Sequence, residues 1–172
     1  RSSKEFRAAL ARWRMPSAEF AYADRDGRIG RQLATLVPSR AEGGGSVPAA
    51  GWTTTGWRGW VPFDSLPAVM DPPEGLVVAA NDSPARVGRI TDVLSATGAH
   101  GIDDFERLQH DVYAWNAAQI APLLGPISLP ESPVAQARRR LLAWDRRVEA
   151  ESRDAMLYVL WERALLRGLV GR

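Results

Sequence analysis

Asn81 closes the stretch of this chain best suited to chemistry. It follows Leu76, Val77, Val78, Ala79 and Ala80, an apolar run that reads as a buried strand. Sites collect at the carboxyl ends of such strands. A neutral amide placed there can donate an N–H to an oxygen that gains negative charge during acyl transfer. The competing reading is structural, because Asn favours turns and helix caps and a helix is expected to start near Pro84. Upstream, Trp52, Trp57 and Trp60 alternate with Gly51, Gly56 and Gly59. Flat apolar rings therefore stand beside positions where the backbone can approach closely, as in a pocket wall, or the rings simply fill core.

Other chemistries find less support. The chain has no cysteine, which excludes disulfides and thiolate catalysis. His100 and His110 lie apart in sequence, with neither the partners of a metal site nor those of a triad. Asp24, Asp26 and Gly27 resemble the start of a calcium loop but lack a third acidic position and the closing Glu, so a hairpin turn is expected. No metal and no cofactor are expected. The net charge is +2, and the arginines form no basic stripe interleaved with aromatics, which argues against nucleic acid as a partner. No apolar run approaches the roughly 20 residues of a membrane span.

The elements that position these residues differ between the two halves of the chain. With 172 residues, 45% hydrophobic and 24% charged, the composition is that of one globular domain. Phe6, Leu10 and Trp13 share a helical face over residues 3–14, and Pro16 ends that pattern. Residues 20–23 lead into the turn of Asp24, Arg25, Asp26 and Gly27, and Ile29 starts the return strand of a hairpin. Residues 37–59 read as a long loop that includes Gly43, Gly44 and Gly45.

From about Pro84 onward the pattern is helical. Val87, Ile90, Val93 and Leu94 share one face, and Gly98 is placed as a stop. Phe105, Leu108, Val112, Trp115 and Ala118 continue at helical spacing until Pro122. Val134, Ala137, Leu141, Leu142 and Trp144 form a further stripe, and Ala155, Met156, Val159, Leu160, Ala164 and Leu165 form the last. The expected class is α+β, strand- and loop-rich over residues 1–83 and helical over residues 84–172. The abrupt start at Arg1 inside a helical pattern, without an initiator Met, is the mark expected of a piece of something longer.

Several motifs carry a family likeness. Tyr22-Ala23-Asp24-Arg25-Asp26-Gly27-Arg28-Ile29-Gly30, Val47-Pro48, Gly51-Trp52, Trp57-Arg58-Gly59-Trp60-Val61-Pro62-Phe63-Asp64, Leu66-Pro67, Asp71-Pro72-Pro73-Glu74-Gly75 and Ala80-Asn81-Asp82-Ser83-Pro84 occur in order. Arg86-Val87-Gly88-Arg89-Ile90, Leu108-Gln109-His110-Asp111 and Leu141-Leu142-Ala143-Trp144-Asp145 follow. Together they resemble the penicillin acylase family of N-terminal nucleophile hydrolases.

That resemblance implies a fragment of an αββα sandwich, with residues 1–83 as a strand and Trp/Gly loop segment of its core and residues 84–172 as a helical segment of the same domain. It implies an amide hydrolase acting on a small acyl amide such as a β-lactam, an acyl-homoserine lactone or a lipopeptide. The family's nucleophile is a serine released by self-cleavage, whose own α-amino group serves as base. Ser2 and Ser3 lack its sequence context, so that serine, the rest of the heavy subunit and the light subunit are expected upstream as partners. By position, Asn81 corresponds to the family's oxyanion-hole asparagine and Arg86 to a supporting arginine. Ala18 falls at an acyl-pocket position, where a small side chain leaves room for a larger acyl group, and Trp57 is a further candidate substrate contact. The interval between Asn81 and Arg86 is shorter than in many members, and no calcium is expected. Resemblance also implies a periplasmic or secreted protein. The alternative is a non-catalytic remnant or interaction domain that retains the fold elements.

Overall fold

The computed structural model describes residues 2–40, 48, 50–52, 56–81, 83–96 and 98–171. Gly43, Gly44 and Gly45, Val47 and Asp82 lie outside the described residues. The chain divides into two compact units, Arg1–Ser83 and Pro84–Arg172.

In the first unit, α1 (Ser3–Leu10) begins at a capping box in which the Ser2 hydroxyl accepts from the Glu5 N–H and the Glu5 carboxylate accepts from the Ser2 N–H. This pairing satisfies two of the helix's orphan donors. The helix ends at Leu10, earlier than the periodicity to residue 14 predicts. The hairpin forms as the turn residues require: β1 (Ala18–Ala23) pairs antiparallel with β2 (Ile29–Ala34), and Gly27 takes φ +79° in the connection. Asp24 fastens this turn by accepting from the N–H groups of Asp26 and Arg28 at 3.0 and 3.1 Å.

Residues 37–59, expected as loop throughout, contain β3 (Pro38–Arg40) and β4 (Trp57–Trp60), which make a two-stranded ribbon with an irregularity at Ser39/Arg40. β5 (Ala68–Met70) completes a sheet of order β1-β2-β5. Aromatic edges fix α1 on this sheet, with Phe6 at 5.6 Å from Tyr22 and Trp13 at 5.2 Å from Phe20. Beneath them Gln32 is fully buried, accepting from Arg7 Nε at 3.0 Å and donating to the Leu33 carbonyl at 2.9 Å.

The run Leu76–Ala80, expected as a buried strand, is not one. It is half-buried and ends in buried Ala80, yet Leu76, Val77, Val78 and Ala79 make no backbone hydrogen bond with any described residue. An apolar extended run becomes a strand only when a neighbour supplies the ladder.

The second unit is helical: α2 (Pro84–Ser95), α3 (Ile102–Gln109), α4 (Trp115–Ile120), α5 (Pro133–Ala143) and α6 (Arg153–Val170). The continuous helix expected from residue 103 toward Pro122 is broken between α3 and α4. There the Asp111 carboxylate accepts from Arg89 Nε and from the Tyr113 N–H, and Tyr113 bridges to Arg147. Arg89 also lies 4.4 Å from the centre of the Tyr113 ring. Ser132 and Ser152 cap α5 and α6 through their hydroxyls. Ala117, Leu141, Trp144, Ala155 and Tyr158 form the buried core of this unit. No described helix is long and apolar enough to cross a membrane.

Candidate functional site

Asn81 sits at the tip of a turn closed by the Ser83 N–H donating to the Ala80 carbonyl at 3.2 Å. Its φ is +50°, in the left-handed region that Asn tolerates better than most residues. The side chain is exposed and makes no hydrogen bond with a described residue. Its amide is thus available to a ligand.

The turn aims into a cleft of about 430 Å³ whose lining includes Ser17, Ala18, Glu19, Arg31, Leu33 and Asn81. Ala18 opens β1 opposite Ala34, so a small half-buried side chain and a free amide face one space. Arg31 and Glu19 form an ion pair on its wall. The hairpin register places Glu19 opposite Leu33 and Ala21 opposite Arg31, which makes Glu19 and Arg31 diagonal neighbours. Sequence reading passed over this pair and Ser17. Opposite charges at diagonal positions of the hairpin were the signal for the pair.

The cleft contains donors for an oxyanion and room for an apolar group, but among the described residues its lining holds no histidine, lysine or free amino group to activate the Ser17 hydroxyl. Ser2 is occupied as a helix cap.

Trp57 does not line this cleft. It stands exposed on β4, with its ring 5.3 Å from that of Trp60, and Trp52 is exposed as well. Arg86 lies in the first turn of α2, exposed, without an ion pair to any described residue. It borders a cleft of about 530 Å³ in the second unit, together with Tyr113, Trp115, Tyr158 and Glu162. Tyr158 donates to Glu162 at 2.6 Å, and burial followed by the Glu162 carboxylate pushes its hydroxyl pKa far up.

The two histidines, which flank α3, line one cleft of this unit with Asp104 and Asp111. Asp104 is held below the usual carboxylate range, chiefly by the Gly101 N–H and then by Arg107. At Asp111 burial pushes the pKa up, but hydrogen bonding and charge from Arg89 outweigh it and the net direction is down. No group of acidic or histidine side chains that could hold a metal occurs among the described residues.

The α+β fold of the chain is that of a solved acylase. It matches the structure of thermostable penicillin G acylase from Alcaligenes faecalis with a TM-score of 0.73 and 24% identity, over 88% of this chain and 31% of that one. The sequence profile described as penicillin amidase matches residues 1–172, and the chain belongs to that family. It is 32% identical to penicillin acylase 2 proenzyme of Pseudomonas sp. (strain SE83), over 93% of this chain and 23% of that protein. It is 29% identical to acyl-homoserine lactone acylase QuiP of Pseudomonas aeruginosa, over 76% of this chain and 19% of that protein. The chain therefore spans about a quarter or less of the curated relatives it matches.

Proposed function

We propose that this chain is part of the heavy subunit of an N-terminal nucleophile amide hydrolase, and that it supplies one wall of the active site. The observation that carries this reading is the convergence of Ala18 and Asn81 on one cleft. Family membership and the small share of the relatives' length also support it.

In this reading the catalytic serine and its α-amino group come from a segment outside residues 1–172, and the units at residues 1–83 and 84–172 belong to one αββα domain. The serine hydroxyl attacks the acyl carbonyl while its proton passes to the α-amino group. The Asn81 amide donates to the oxyanion, the amine leaves with that proton, and water then cleaves the acyl ester by the same steps. Ala18 accommodates the acyl chain, while Trp57 and Arg86 take their roles, as substrate contact and supporting charge, from the family resemblance. The substrate is a small acyl amide such as a β-lactam, an acyl-homoserine lactone or a lipopeptide, and the protein works in the periplasm or outside the cell with a light subunit.

The test is turnover by the complete protein with Asn81→Ala. Loss of one oxyanion donor lowers kcat by about 10² to 10³, measured on phenylacetyl and long-chain acyl amides. Unchanged turnover would refute the role of Asn81, and absence of turnover in the unsubstituted complete protein would favour a non-catalytic interaction domain.

A further inference from the structure

We infer that the second half of α6 is a docking face for an amphipathic helix of the same protein, one that lies outside residues 1–172 and carries Asp or Glu beside its apolar stripe. Ala155, Tyr158, Glu162, Leu165 and Leu169 recur along α6 at steps of three and four. They therefore share one face of the helix, with Leu166 beside them. Burial along this face is uneven. Ala155 and Tyr158 are each 3% exposed and belong to the core of this unit, whereas Leu166 and Leu169 are 52% and 74% exposed.

Helix length accounts for the change. α5 has 11 residues and α6 has 18, so at about 1.5 Å per residue α6 outreaches the helix it packs on by about 10 Å. The partly buried side chains of α6 that join the core, Leu157, Val159 and Trp161, also lie before Glu162. The stripe runs on where its cover stops. A helix draws most of its stability from packing such a stripe, and spacing of three and four residues suits a second helix as cover.

Charge selects the occupant. Arg163 and Arg167 are exposed at this end and have no partner among the described residues. The carboxylate of Glu162 already accepts from Tyr158. A second copy of this face would add two guanidiniums and no free carboxylate, so complementarity at the rim calls for a different, acidic surface. The chain spans 23% of penicillin acylase 2 proenzyme and 31% of the penicillin G acylase chain, which leaves ample sequence in proteins of that length to supply it. The inference thus rests on the reading of the chain as part of a larger acylase.

Photo-crosslinking of the complete protein, with p-benzoylphenylalanine in place of Leu169 or of Leu166, tests this. The expected crosslink joins α6 to a peptide outside residues 1–172 that bears Asp or Glu beside an apolar helical stripe. A crosslink into residues 1–83, one into residues 84–172 as a second copy would give, one into a peptide without such acids, or none from either position overturns the inference. Hydroxyl-radical footprinting checks it without substitution: Leu166 and Leu169 of the complete protein should lose their labelling as core Leu141 does. Labelling equal to that of the unfolded chain overturns it as well. Turnover is measured on the same unsubstituted protein, so an active enzyme with an uncovered α6 would sink the docking face and leave the acylase reading standing.

Discussion

A left-handed backbone costs most side chains about 1 kcal/mol or more, and Asn81 occupies it at φ +50°. The cost separates the two roles open to this residue. If Asn81 serves only the turn, Asn81→Gly keeps the backbone and activity stays near the unsubstituted level. If its amide binds the oxyanion, Asn81→Gly is as slow as Asn81→Ala, and kcat of the complete protein distinguishes them. Ala18 bears on specificity: Ala18→Leu fills part of the cleft and shifts preference toward shorter acyl groups by about 10- to 100-fold in kcat/KM, read from a chain-length series. Gly88 shows the same logic in the second unit. A Cβ there would stand 2.5 Å from the Trp115 ring carbons, so Gly88→Ala destabilises by about 1 to 3 kcal/mol despite alanine's better helix propensity, as denaturant unfolding would show. The histidine cleft was not legible one residue at a time, because spacing along the chain says nothing about which loop end and helix end converge.

Among the elements, the hairpin and the long helices were readable because their causes are local. Gly27 takes the positive φ its turn needs, and the capping serines precede apolar stripes. The break between α3 and α4 was not readable from periodicity, since Trp115 and Ala118 stay in phase with Phe105 and Leu108. What interrupts the helix is the commitment of Asp111 to Arg89 and to the Tyr113 N–H, a contact remote in sequence. That contact has a pH signature. The Asp111 pKa is lowered on folding, so its contribution is fully present above the unfolded carboxylate value, about 3.9, and is lost as the pH falls through the lower folded value. Asp24 and Asp104 shift in the same direction. Melting temperature should hold above about pH 5 and drop below about pH 4, and Asp111→Asn should reduce the size of that drop. An equal drop in the variant would show that this pair does not contribute.

At the scale of the whole molecule, the family and the α+β class were legible because dense motifs such as Trp57-Arg58-Gly59-Trp60 and Ala80-Asn81 persist in order. The strand expected at Leu76–Ala80 failed for the complementary reason: strand character belongs to a pair, and the chain spans 23% of the length of the proenzyme it matches. The unladdered amides of Leu76, Val77, Val78 and Ala79 therefore become a clock for assembly. In residues 1–172 alone they should exchange with deuterium close to the rate of an unstructured peptide, while the amides of β2 exchange slowly. In the complete protein they should be protected to the level of its core. Mass spectrometry of the peptide covering them would show whether the run before Asn81 gains a neighbouring strand in the complete protein, and equal exchange in both forms would show that it gains none.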